Sequence, residues 1–569
     1  MRSSTVASAA PAWRWWGLPL LLGFVPLAPT STLHAAPAIA VLVEAAKADN
    51  LPAVRKLISE HAEVNASASD GSSALLWAAY HSNTEMVKAL IAAGAAVDAA
   101  NHYGVTPLLQ ASRNGDVEVM RALLDAGADP TRWHAEGETP LMAASRTGRV
   151  DAVRLLLDHG AFVNAADPFQ EETALMWASA EGHLEVVKAL LAAGADPNLK
   201  AHVSRLTDRK NADHPSGGFT ALMFAARNGH EDVVKALIEG GADPKLTNAD
   251  GLTATSIAII NARFDLAKEL LDLGADPNDG ALYFAVDMHD ATTDMRAQDA
   301  TRMQPNHPNK LTALSLVKSL LDVGADVNKP FHGAVHSTSM CCGPTINSSP
   351  FYRAAVAADV EVLKLMLAHG AQIEWSPAEV KPADGKKAAP GLNANVGKTP
   401  IMAAMNGGKG APLQAGPGYS RSGPPPFREP GSRDPLEALK LLLAAGANPN
   451  AKAPDGSTPL HQAVQLQQVA MIRTLVAAGA KLDAVNKENQ TPLMAADKLK
   501  PKPPSVMGDP GAYRPHEDSK EEVIAALREL MHLGPNDPIP QPPPVNKDDP
   551  AKKGEKEQKK DAPPVASEQ

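Results

Sequence analysis

The stretch from Thr106 to Glu138, TPLLQASRNGDVEVMRALLDAGADPTRWHAEGE, is followed from Thr139 by TPLMAASRTGRVDAVRLLLDHGAFVNAADPFQEE, which restates it almost position by position. Self-similarity at a period of about 33 residues restricts the chain to a stack of like units, since one unit of that length cannot bury its own apolar face. Within the unit, Thr106 stands where it can cap a helix, Pro107 takes a position that a helix N-terminus tolerates, and Leu108 and Ala111 point one way. Gly115 can close that helix. In the second helix Val117, Met120, Leu123 and Leu124 recur at helical spacing, and Gly127 supplies the left-handed residue that ends it. Neither helix is long enough to persist alone in water. Each must bury its apolar side on the next unit.

The same opening recurs as Thr139-Pro140-Leu141, Thr458-Pro459-Leu460 and Thr491-Pro492-Leu493, and Thr399-Pro400 keeps two of its residues. Paired alanines, a glycine before the second helix and a closing GADPN or GANPN accompany it. In these features the chain resembles the ankyrin repeat family, from about residue 38 to 533. The resemblance implies an all-α solenoid of about twelve helix-turn-helix units, with short β-hairpin loops along one edge and, in this chain, several long inserted loops. It also implies binding rather than catalysis.

Register divides the chain. Residues 38–279 read as regular units opening at Ser73, Thr106, Thr139, Thr173, Thr220 and Thr253, with one loop insertion near 199–218. Residues 280–533 read as units interrupted by long insertions, one of them the Pro- and Gly-dense stretch after Met405, whose composition cannot form a packed core. Residues 534–569, Pro-rich and then charged, read as a disordered tail.

Aromatic residues are only 4% of the chain, so the core must come from Ala, Leu and Val. The formal charge of −10 argues against a general binder of nucleic acid or anionic membrane. Arg2 and Arg14 precede the run WWGLPLLLGFVPLA and then LHAAPA, the layout of an export signal over 1–37, cleaved near Ala35 to Ala38. The mature protein is therefore expected to be periplasmic or secreted, without stable membrane insertion. The two cysteines, Cys341 and Cys342, are adjacent, and their Cα spacing of about 3.8 Å is too short for an unstrained bridge.

Two rows of side chains are left free by the stacking pattern. Just after the paired small residues stand Tyr80, Arg113, Arg146, Ala180 and Arg227, where the resemblance places the concave groove. The three arginines are read either as a stripe that receives an acidic segment or as residues bridging to acids on neighbouring units. At the hairpin tips stand Tyr103, Trp133 and Phe169, with His102 and His134 beside two of them. These rings are read as interface anchors or as covers folded over the next hairpin. Trp77, Trp177 and Phe224 fall within first helices and read as core between units.

Signatures of catalysis are missing: the sequence has no CxxCH, phosphate loop, HExxH or GxSxG. The insertion HGAVHSTSMCCG gathers His332, His336, Met340, Cys341 and Cys342, ligands that copper or zinc selects, but at a spacing that matches no established zinc pattern. His183, beside Glu185, is assigned a structural role. The expected function is a non-catalytic, monomeric interaction scaffold that needs no cofactor and binds a protein partner. The alternatives are a regulatory subunit of an exported enzyme and, less favoured, a metal-binding protein.

Overall fold

The structure, a computed structural model, describes residues 41–203, 217–290, 309–331, 348–378, 396–407, 434–499 and 518–542. The expected export signal lies outside the described residues, as do His332, His336, Cys341 and Cys342. Among the described residues there are twenty-four α-helices, six to eleven residues long, and no strand. Isolated antiparallel bridges, Ser67 to Ser73, Ala166 to Thr173 and Val203 to Gly217, mark three of the hairpins.

Local chemistry sets each unit. Thr106 is extended (φ −91°, ψ 161°), and its Oγ1 accepts from the Leu109 N–H at 3.1 Å. That bond satisfies a donor the helix Pro107–Asn114 cannot satisfy itself. Gly115 ends the helix at φ 69°, and Asp116 caps the second helix, Val117–Asp125, by accepting from the Val119 N–H at 3.2 Å. The hydroxyl cap recurs at Ser73, Thr139, Thr173, Thr220, Thr253, Ser349 and Thr491.

Pro107–Asn114 packs on its own second helix and, to either side, on the first helices Ala74–Tyr80 and Pro140–Arg146. Continued along the chain, this arrangement merges the apolar faces into one core from Leu42 to Leu527. Leu108, Met120 and Leu123 are fully buried. Each such side chain contributes about 2–3 kcal/mol relative to exposure. Ala78, Ala111, Ala144, Ala178, Ala225 and Ala258 are also fully buried, and larger side chains there would force first helices apart.

Interrupted units keep their pairing. Ala281–Asp290 packs on Ala313–Asp322, Pro400–Met405 on Pro435–Ala444, and Pro492–Asp497 on Lys520–Leu530. The Pro-rich tail expected from 534 starts against the stack: the Arg528 guanidinium donates to the Gly534 and Asp537 carbonyls at 2.7 and 2.9 Å, and Ile539 packs on the core. A half-buried arginine and one half-buried isoleucine hold the start of what composition alone assigned to solvent.

Candidate partner-binding surface

The hairpins are rigid because each turn closes on a side chain of its own. Asn101 Oδ1 accepts from the Tyr103 and Val105 N–H groups at 3.1 and 3.0 Å, His134 Nδ1 from Glu136 at 3.0 Å, and Asp167 Oδ1 from Phe169 at 3.0 Å. Backbone bonds then tie one tip to the next: His102 N–H to Asp70 O at 2.9 Å, Ala135 to Tyr103 at 3.3 Å, and His202 to Gln170 at 2.6 Å. On this frame Tyr103 is 66% exposed, Trp133 60% and Phe169 58%. More than half of each of these residues is open to solvent. Val203, 42% exposed, continues the series into the next hairpin. Sequence reasoning missed it because it lies within the stretch assigned to an insertion.

The groove row is arranged differently. Glu138 sits between two of its arginines: Arg113 Nε and Nη2 donate to Glu138 Oε2 at 2.8 and 2.5 Å, and Arg146 Nη2 to Oε1 at 3.3 Å. Two of the three cations thus already hold a carboxylate from the chain itself. Arg146 also places its guanidinium 5.8 Å from the Trp177 ring centre. Arg227 is exposed as a residue, yet its guanidinium lies over Phe219 at 5.8 Å and Phe224 at 5.4 Å. That apolar cover lowers its pKa, with the Glu172 charge opposing. Glu172 in turn is raised, first by burial and then by the Asp167 charge, against the pull of Arg227. Tyr80 is 55% exposed and meets Trp77 edge to face at 5.5 Å.

Trp77, Trp177 and Phe224 are half-buried: one face of each joins the core, and the other lies beneath a cation. Over Trp77 that cation is Lys47, 5.5 Å from the ring centre. Lys47 follows the paired alanines of the first unit, so it heads the groove row. It escaped the sequence reading because that unit lacks the TPL register mark.

A family model described as ankyrin repeats (3 copies) matches residues 42–134, 131–201, 202–281 and 432–500, more than half of the chain. The chain belongs to the ankyrin repeat family. It is similar to the ankyrin repeat domain of human ASB11, known from a crystal structure, at 28% identity over 42% of this chain and 98% of that one, with a TM-score of 0.35. No curated protein matches its sequence. Ankyrin repeats are generally protein–protein interaction modules, and in this one Tyr103, Trp133 and Phe169 are exposed in the hairpins while Arg113 and Arg146 are engaged with Glu138.

The ankyrin histidines belong to the frame. His183 Nε2 bonds the Arg146 carbonyl at 2.9 Å, and His230 Nε2 bonds Ala180 O at 3.0 Å, so each ring ties a second helix to the end of the preceding first helix. Burial lowers the His230 pKa, and its bond to Ala180 opposes this. Among the described residues no group of three or more His, Cys, Asp or Glu could hold a metal ion. No described helix is long and apolar enough to cross a membrane.

Proposed function

We propose that this ankyrin protein is a non-catalytic scaffold of an exported compartment, meeting a protein partner through its concave groove and hairpin tips. The observation that carries the reading is the run of exposed apolar side chains Tyr103, Trp133, Phe169 and Val203 on four successive hairpins. A soluble chain keeps such residues on rigid, hydrogen-bonded turns at a cost in solubility, and aromatic side chains of this kind dominate interface energetics. Arg113, Arg146 and Arg227 flank the ridge on the groove side, where Arg146, the most exposed of the Glu138 pair, can add a partner carboxylate to the one it holds. The export assignment rests on the layout of residues 1–37.

The test is site-specific photocrosslinking in the native cell, with the reactive group at 103, 113 or 133 and a control on the opposite surface at Lys188. A partner captured from the first three positions and not from the control supports the reading. Equal capture everywhere would remove it. The amino-terminal residue of the purified protein checks export: a start near Ala36 to Ile39 is expected, and an intact Met1 refutes it.

A further inference from the structure

Two charged side chains of the groove have each lost the partner that the repeat provides elsewhere. The place just before the helix-capping threonine belongs to Glu138 ahead of Thr139 and to Glu172 ahead of Thr173. Glu138 is bound by the row arginines on either side of it, Arg113 and Arg146. For Glu172 the corresponding residues are Arg146, which is turned to Glu138 and Trp177, and Ala180, which has no charge to offer. Ahead of Thr220 the same place holds Phe219, so Arg227 meets two rings where Arg113 and Arg146 meet a carboxylate. An acid without its arginine thus stands one unit from an arginine without its acid.

The two interact without closing. Burial, aided by the Asp167 charge, raises the Glu172 pKa, burial lowers that of Arg227, and each of the pair opposes the other's shift. Yet neither the Glu172 carboxylate nor the Arg227 guanidinium makes a hydrogen bond or ion pair among the described residues. Glu172 is half-buried and Arg227 exposed, so a partner can reach both, and Ala180 leaves the row position before Arg227 open. The other acids nearby are occupied: Asp167 accepts from the Phe169, Gln170 and Glu172 N–H groups, Glu171 is turned to His202 at 3.4 Å, and Glu181 acts on His230.

We propose that Glu172 and Arg227 together hold a side-chain carboxamide, an asparagine or glutamine of the partner, whose NH2 group donates to Glu172 while its oxygen accepts from Arg227. A carboxylate would satisfy Arg227 and be repelled by Glu172, and an ammonium or guanidinium would do the reverse. A trans backbone amide directs its N–H and C=O to opposite sides, whereas a primary carboxamide carries donor and acceptor on one edge. Both bonds are charge-assisted, and the rings beneath Arg227 hold its guanidinium in place before binding.

This inference rests on the interaction reading above, and its test separates the two. Random peptides displayed on phage are selected on the full-length protein and on its Glu172→Gln and Arg227→Met variants, which keep side-chain size and should keep helical content. The parent should enrich Asn or Gln at one position. Glu172→Gln, which exchanges an acceptor-only group for one that also donates, should enrich Asp or Glu there. Arg227→Met should show neither preference. In fluorescence anisotropy with the selected peptide, Gln should bind the parent about tenfold more tightly than Glu at that position, and Glu172→Gln should reverse the order. Acidic or basic residues enriched by the parent, no position enriched, or one residue chosen by all three proteins would each overturn the proposal. A partner captured at 103, 113 or 133 that binds Arg227→Met as well as the parent would also overturn it and leave the scaffold reading intact.

Discussion

Asn198 clasps Asp243 across two hairpins: its Oδ1 accepts from the Asp243 N–H at 2.8 Å, while its Nδ2 donates to the nearby Gly241 carbonyl at 3.0 Å. Asn65, Asn164, Asn328 and Asn450 make the same two-bond clasp on the hairpins that follow them. Asp98 has only the acceptor and makes one bond, to the Asp129 N–H at 3.0 Å. Thr131 makes neither, since its hydroxyl turns back to Asp129 at 2.6 Å. At the same joint Pro168 takes the place of the tip residue whose N–H ties other hairpins together, so two couplings are missing beside Trp133.

Thr131→Asn should restore the clasp to Gly160 and Phe162. An exposed hydrogen bond contributes about 0.5–1.5 kcal/mol net, and one bond to Asp129 is given up, so a gain of about 0.5–1 kcal/mol is expected. Asn198→Ala should cost about 1–2 kcal/mol by the same reasoning. Urea midpoints and amide exchange in the flanking second helices report both. A Thr131→Asn protein no more protected than the parent would show that helix packing alone carries the joint.

The stack was legible because its signals are local and repeated: Thr106 caps, Pro107 starts, Gly115 and Gly127 stop, and Leu108 and Leu123 mark one face. The clasp was visible only as the recurring GADPN, since nothing in one unit says where the Asn amide reaches. The Arg113 and Arg146 grip on Glu138 was legible as a choice between two fates but not as a geometry, because Glu138 serves one arginine from its own unit and one from the next. Exposure of Tyr103, Trp133 and Phe169 was equally undecided until the backbone bonds between tips fixed each turn. Lys47 and Val203 were hidden by atypical neighbours, a first unit without its opening motif and a hairpin that carries an insertion.

Arg113 and Glu138 should be coupled. Arg113 and Glu138 are about three-quarters covered, with side-chain exposures of 28% and 22%, so solvent screening still takes much of the Coulomb energy. In a double-mutant cycle of Arg113→Ala and Glu138→Ala, a coupling energy of about 0.5–1 kcal/mol is expected, falling with salt. Arg146→Ala should couple more weakly, since its contact is longer and its side chain 44% exposed. Additive effects would mean that the grip contributes nothing to folding.

Gly182 is a position where a side chain is barred twice. Its φ is 79°, and a Cβ would lie 2.5 Å from Nδ1 of the His230 ring, which the bond to Ala180 O holds in place. Gly182→Ala should therefore cost about 1–3 kcal/mol from left-handed strain and displacement of the histidine. Thermal midpoints of the parent, Gly182→Ala and Gly182→Ala/His230→Ala separate the two causes. If the histidine matters, the double variant loses less than the sum of the single ones.

Asp279 makes stability depend on pH. It caps the helix Ala281–Asp290 by accepting from the Ala281 N–H at 2.9 Å, and it accepts the Thr253 hydroxyl. Burial nevertheless pushes its pKa up to about 6 from 3.8, outweighing the lowering by those two bonds. The folded state thus holds this proton more tightly than the unfolded chain does. The favourable contribution is full below about pH 4 and is lost as pH rises through about 6, with an upper bound of about 3 kcal/mol. Asp279→Asn keeps an oxygen for Ala281 and can donate to Thr253 Oγ1, without the charge. The variant should be more stable than the parent at about pH 7.5, and the difference should close near pH 4. Urea midpoints of both proteins at the two pH values measure this. A variant weakened equally at both would show that the carboxylate is retained for its hydrogen bonds and that its buried charge costs the fold nothing.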